Sequence, residues 1–344
     1  MSDNGMHLVD ITKGELENKA IRAGFGSGLV KAAELDSNVV AVSADLTGSV
    51  KLDGFAAKFP ERFVQVGIAE QNLVTVASGM AAMGKIPFAA AYAAFSPGRN
   101  WEQIKTTICL NEQPVKIVAS HAGLYTGPDG ATHQMLEDIP LMRAMPGMVT
   151  IVPCDAVEAE KATMAMALDK RPNYMRMCRE NTPVITTAET PFEIGKAYVF
   201  TPGTDVTIIA CGVMVYQALL AAELLYKDGI EAEVINCPTI KPLDAETILK
   251  SVRKTRCVVT AEEGQIIGGL GGAISELLGE EYPVPIKRLG MRDRYGESGE
   301  GPELMEHFGL DAKHIRLAAH HIVEVNKALF DMPATEQEIQ KKGK

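Results

Sequence analysis

Short apolar runs alternate with longer amphipathic stretches along most of the chain, a pattern that predicts strands and helices taking turns. After a helix over about 13–37, VVAVSAD (39–45) reads as a buried parallel strand, and FVQVG (63–67) as another that runs directly into a helix. The unit recurs in PFAAAY (87–92), a helix over 99–112, VKIVAS (115–120), a helix around 135–145, MVTIVP (148–153), a helix over 155–169 and YMRMCR (174–179). Asp155 followed by Glu158 fits a capping box for the 155–169 helix. One α/β domain is therefore expected over 10–182.

The Thr- and Pro-rich stretch TPVITTAETPFEIGKAYVFTPGTD lacks periodicity and predicts a linker over 183–204. A second series follows: DVTIIAC (205–211), a helix over 213–228, EAEVIN (231–236), a helix over 243–252, RCVVTAE (256–262), a helix over 270–279 and VPIKRL (284–289). Helices near 301–308 and 311–331 close this smaller α/β domain, expected over 205–331 with a mostly parallel sheet. The final KKGK is expected to be a frayed, solvated end.

At 344 residues the chain suits roughly two domains, and 46% hydrophobic residues exclude disorder as its main state. Its 34 Lys and Arg against 44 Asp and Glu leave a charge of −10, which repels phosphate backbones and disfavours nucleic acid, although a local basic pocket could hold one small phosphate. The six cysteines form no CxxC pair and fit reduced, buried thiols, hence a cytoplasmic protein. The first residues lack the apolar core of a signal peptide, and no stretch reaches the roughly 20 apolar residues of a membrane span.

Several strand ends of the first domain deliver polar residues to what should be one side of the sheet, where open α/β sheets bind ligands. These are Asp45 and Ser49, then Glu70, then Tyr92 and Phe95, then His121, Asp129 and His133, and finally Arg176 and Arg179. Glu70, in GIAEQN, falls in a first helical turn, where it either favours the helix start or serves a cleft. The loop HAGLYTGPDGATHQ (121–134) sets two imidazoles and a carboxylate among three glycines, as a substrate loop would, or as histidines that bond to nearby carbonyls. The spacing 121, 129, 133 matches neither HExxH nor a zinc pattern, so no metal is expected there. Tyr92 and Phe95 can present flat rings to a planar group or to the core. Arg176 and Arg179 can form a phosphate fork or pair with surface carboxylates. GGLGG in the second domain is not GxGxxG, and close helix packing accounts for its glycines, so no chemistry is assigned to that domain.

Taken in order, SADLTGS (43–49), GIAEQN (67–72), YAAF (92–95), GPDGATHQ (127–134) and RMCRENTP (176–183) resemble the C-terminal half of transketolase, over about residues 10 to 330. The resemblance implies a thiamine-diphosphate pyrimidine-binding domain followed by a smaller C-terminal domain, and an enzyme that transfers a two-carbon ketol unit between pentose and other sugar phosphates. By it, Glu70 hydrogen-bonds N1′ of the cofactor aminopyrimidine, Tyr92 and Phe95 pack around that ring, and Asp45 is close to the cofactor. Ser49, His121, Asp129 and His133 match positions that hold the sugar, His121 and His133 also being candidates for catalysis, and Arg179 with Arg176 resembles the phosphate anchor.

The family's GDG signature, which with downstream Asn residues binds Mg²⁺ and diphosphate, does not occur in this sequence. The resemblance therefore implies a split transketolase whose N-terminal subunit brings the metal and diphosphate site, in an α2β2 heterotetramer with a homodimeric core. The sister 1-deoxy-xylulose-5-phosphate synthases share most of these motifs. His121, where they usually carry Arg, and the insertion-like SPGR (96–99) favour transketolase, whereas Ala122 departs from the acidic residue common in full-length transketolases. The β subunit of 2-oxoacid dehydrogenases lacks the THQ loop. A non-catalytic regulatory or scaffold homologue is the remaining alternative, and the retained polar constellation counts against it.

Overall fold

The computed structural model describes residues 5–331, so the closing KKGK lies outside the described residues. The first sheet runs in the order Thr239–Lys241, Val149–Ile151, Asn173–Arg176, Lys116–Ser120, Ile86–Tyr92, Val39–Ser43, Phe63–Gln65. All its strands are parallel except Thr239–Lys241, which pairs antiparallel at the edge. Val39–Ser43 and Lys116–Ser120 are buried throughout, because helices cover both faces; this is why they read as unbroken apolar runs.

The helix Ile21–Leu35 packs against the helix Ala156–Leu168 at a distance only glycine permits. A Cβ on Gly24 would lie 1.8 Å from the Ala156 carbonyl oxygen, and one on Gly28 would lie 2.7 Å from that of Glu160. Ser27 and Lys31 then reach the Glu160 carboxylate at the edge of the contact.

The second sheet has the order Ile286–Met291, Val258–Gln265, Val206–Ala210, Ala232–Asn236, Tyr198–Thr201 and is parallel except for the last strand. Its helices include Met214–Lys227, Leu270–Glu281 and Ala312–Asp331. One apolar cluster continues from Phe25 and Phe88 through Met177 and Cys178 to Val213 and Ile315, so the two domains share a core.

Several local expectations change. The helix read over 13–37 gives up its start to a strand, Asn18–Ala20, which pairs with Asn181–Pro183 where the expected first domain meets the linker. That linker also contributes Tyr198–Thr201 to the second sheet, and its Ile185 and Thr186 N–H groups donate to Asp155 Oδ2. Asp155 Oδ1 caps the 156–168 helix by accepting from the N–H groups of Val157 and Glu158. The reciprocal arm of the capping box is absent: Glu158 instead accepts from the Cys154 N–H and from Asn236 Nδ2 of the second domain, each at 2.7 Å. The helix expected over 99–112 is a short turn, Trp101–Gln103, continued by a π-helical segment, Ile104–Cys109.

Candidate functional site

The parallel strands of the first sheet end together, and the chain leaves each of them into a polar turn. Asp45 follows Val39–Ser43, Glu70 opens the helix Glu70–Ala82, Tyr92 ends its own strand, and His121 directly follows Lys116–Ser120. Asp45 (φ 62°) and His121 (φ 57°) occupy the left-handed region, a strain of about 1–3 kcal/mol each that persists only where surrounding contacts fix the backbone. For Asp45 one such contact is its N–H donating to Gln65 Oε1 at 2.6 Å.

Rings gather at this edge. The His121 imidazole stacks on Tyr92 with centroids 3.7 Å apart, and Tyr92 stacks on Phe95 at 5.5 Å. His133 meets Tyr92 edge-on at 6.4 Å and Phe95 at 5.5 Å. Glu70, only 5% exposed, is linked to this group by Arg99, whose Nη1 lies 3.2 Å from Glu70 Oε2 and whose guanidinium sits 4.1 Å above the Phe95 ring. Asn100 Nδ2 donates to the Glu70 carbonyl at 2.7 Å and holds the first turn in place, while its own Oδ1 is buried without a partner.

His121 is buried between Ser120 Oγ, 2.9 Å from Nδ1, and Arg22 Nη1, 3.3 Å from Nε2. Burial, and then the charges of Arg22, Arg179 and His133, hold its pKa down at about 3. Arg22 Nη1 also donates to the Ser49 carbonyl at 3.0 Å, which ties the 45–49 turn to His121. Arg179 is half-buried and donates to the Thr126 carbonyl at 3.2 Å, with Glu180 3.4 Å away. Asp129 is exposed at the end of the turn Leu124–Asp129.

Arg176 does not join them, and the Arg176–Arg179 fork is not formed. Its guanidinium is 3% exposed, 3.0 Å from Asp138 Oδ2 and 3.6 Å from Glu263 Oε2, and it donates to the Glu263 carbonyl at 2.6 Å. Two carboxylates buried between the domains need a counter-charge, and Arg176 supplies it. Arg22 and Arg99 were not expected at the site. The first is a lone arginine in the otherwise apolar start of a helix, and the second lies inside SPGR. Neither is near His121 or Glu70 in sequence, so only the fold reveals the pairing.

Among the described residues no group of three or more His, Cys, Asp or Glu is arranged to hold a metal ion. No described helix is long and apolar enough to cross a membrane.

With this geometry in place, comparison with known proteins gives the family. Residues 17–184 match the transketolase pyrimidine-binding domain and residues 195–315 the transketolase C-terminal domain. A putative transketolase C-terminal section of Methanocaldococcus jannaschii is 44% identical over 86% of this chain and 94% of its own. A 6-deoxy-6-sulfo-D-fructose transketolase subunit of a Clostridium species is 42% identical over 90% and 96%. The solved structure of a split-gene transketolase, an inactive β4 tetramer, is 42% identical and superposes with a TM-score of 0.84 over 89% of this chain and 99% of that one. The chain belongs to the transketolase family and is homologous over most of its length to the C-terminal subunit of split, two-chain members.

Proposed function

We propose that this chain is the C-terminal subunit of a two-chain transketolase that moves a two-carbon ketol unit from a ketose phosphate to an aldose phosphate. The observation that carries the reading is the meeting of Glu70, Tyr92, Phe95, His121 and His133 at one sheet edge. A buried carboxyl group at a helix start, linked through Arg99 to two stacked rings, offers a partner for a ring nitrogen and flat faces for an aminopyrimidine. The residues present therefore fit that half of thiamine diphosphate, with Glu70 holding a ring nitrogen and Tyr92 and Phe95 its flat face. When bound, the cofactor supplies the nucleophilic carbon and electron sink that carbon–carbon cleavage requires. Glu70 exchanges a proton with the ring nitrogen, and the buried walls around it exclude water.

Ser49, His121, Asp129 and His133 would bind sugar hydroxyls. Arg179 is the phosphate anchor, with Arg22 replacing Arg176 as the second guanidinium at this edge. Such remote contacts fix the sugar along the cleft. Mg²⁺ and the ligands of the diphosphate are assigned to an N-terminal partner subunit in an α2β2 assembly. We assign the chain to the cytoplasm, a compartment that keeps thiols such as its buried Cys154, Cys178 and Cys211 reduced.

Reconstitution tests the proposal. Mixing the chain with a GDG-bearing partner, thiamine diphosphate and Mg²⁺ should create ketol transfer between xylulose 5-phosphate and ribose 5-phosphate that neither chain has alone. Carbon dioxide release from pyruvate with glyceraldehyde 3-phosphate would instead identify a synthase. Inactivity across a full set of donors and acceptors would leave a scaffold.

A further inference from the structure

Glu263 belongs to the strand Val258–Gln265 of the second domain, yet its side chain ends under the 121–134 loop of the first. Oε1 accepts the Tyr125 N–H, Oε2 faces Arg176 Nη1 at 3.6 Å, and the Glu263 carbonyl accepts Arg176 Nη2 at 2.6 Å. Gly123 makes the approach possible, since a Cβ there would lie 2.3 Å from Glu263 Cδ. The second domain holds the rest of the loop too. Gln134 Nε2 donates at 2.8 Å to the Glu297 carbonyl and at 3.1 Å to that of Gly127. A Cβ on Gly130 would meet Ser298 Oγ at 2.5 Å, and Gly301 packs against the Tyr125 ring.

A carboxylate in this position is an expensive way to fill space. The Glu263 side chain is 1% exposed, and Oε2 lacks a hydrogen-bond partner. Apolar replacements of buried ion pairs are often neutral or stabilising, so stability alone gives little reason for a charged pair here. What the carboxylate does accomplish is geometric: it fixes one backbone N–H of the loop and stands 3.6 Å from a guanidinium of the adjoining strand that the Glu263 carbonyl holds directly.

We propose that the second domain sets the shape of the sugar-binding loop, with Glu263 as the positioning residue that, through Tyr125 and Arg176, fixes the backbone carrying His121, Asp129 and His133. This rests on the sugar-phosphate reading of that loop. The domain to which sequence assigns no chemistry then governs substrate affinity while leaving the Glu70 side of the cleft untouched.

Two variants of the full chain, Glu263→Ala and Glu263→Gln, test the proposal, each alone and assembled with the partner subunit. By amide hydrogen exchange, Glu263→Ala should speed exchange across 121–134 by about tenfold or more, the size expected for a lost buried hydrogen bond. Glu263→Gln, whose amide oxygen still accepts the Tyr125 N–H, should exchange like the parent. In the assembled enzyme Glu263→Ala should raise KM for sugar phosphate about tenfold, change kcat less than about threefold and leave the thiamine diphosphate Kd in place. Glu263→Gln should restore KM.

Unchanged loop exchange and KM in Glu263→Ala would overturn the proposal. So would equal losses of kcat and cofactor affinity, or a Glu263→Gln variant as impaired as Glu263→Ala. Should Glu263→Ala not fold, Gln134→Leu removes the neighbouring interdomain bond to Glu297, and the same exchange and KM readouts decide. A parent complex without ketol transfer would refute the functional reading, and loop exchange would still decide the positioning role.

Discussion

Arg22 Nη1 lies 3.3 Å from Nε2 of His121, and this one contact determines which imidazole nitrogen carries the proton. A guanidinium can only donate, so Nε2 accepts, and the proton sits on Nδ1, pointing at Ser120 Oγ 2.9 Å away. With its pKa held down at about 3, the ring is neutral across the working range. His121 is then a fixed hydrogen-bonding group in this state and not a proton donor at neutral pH.

Nitrogen NMR of the imidazole should therefore show the Nδ1–H tautomer from pH 5 to 8 with no titration. An imidazolium forming near pH 6.5 would contradict the arrangement. The same depression affects stability. Between about pH 6.5 and 3 the unfolded chain protonates this histidine and the folded one does not, so His121 makes the fold less stable as pH falls through that window. His121→Gln should flatten the acid side of the stability profile.

Two carboxylates act in the opposite sense. Glu158 and Glu262 are each pushed up to about 7, chiefly by burial, and Asp155 adds to the effect at Glu158. From about pH 4.5 to 7 the folded chain retains protons that the unfolded chain has released, so stability falls as pH rises through this window. Glu158→Gln keeps the shape and cannot ionise. Urea denaturation from pH 5 to 7 should show a slope reduced by up to about one proton in this variant, and an unchanged slope would show that Glu158 ionises freely in the fold.

The contact between helices 21–35 and 156–168 depends on a missing side chain. Gly24→Ala places a methyl 1.8 Å from the Ala156 carbonyl oxygen, backbone that cannot swing aside. The better helix propensity of alanine does not offset this clash, and a net loss of about 1–3 kcal/mol is expected in chemical denaturation. A variant as stable as the parent would mean that the helices separate at little cost.

Much of this architecture is legible in the sequence because buried parallel strands and amphipathic helices carry strong local signals. VVAVS and KIVAS are strands in the structure, and the Asp155 cap is where its motif places it. Pairings between distant segments are not written locally. Thr239–Lys241 joins the first domain's sheet, and Asn18–Ala20 leaves the expected helix for Asn181–Pro183, because each edge strand needs a hydrogen-bonded neighbour. The glycines of GGLGG do serve close packing: a Cβ on Gly269 would lie 1.9 Å from Glu262 Oε2, whose carboxylate accepts the Leu270 and Gly271 N–H groups. At the site, Glu70 and the ring residues carry motifs, whereas Arg22 and Arg99 matter only through side chains that fold beside them. Arg176 shows the converse: a basic residue at the right strand end is claimed by Asp138 and Glu263, partners that sequence spacing does not bring together.

Whether Glu70 activates a thiamine cofactor shared with a partner chain is measured by Glu70→Gln in the reconstituted complex. The substitution keeps the size of the side chain and removes its ability to take up and release a proton. Ketol transfer should fall by about 10²- to 10⁴-fold, the usual weight of a positioned acid–base group, while the complex assembles and the chain's thermal unfolding is unchanged. An assembled variant that transfers the two-carbon unit at the parent rate would show that Glu70 does not activate the cofactor.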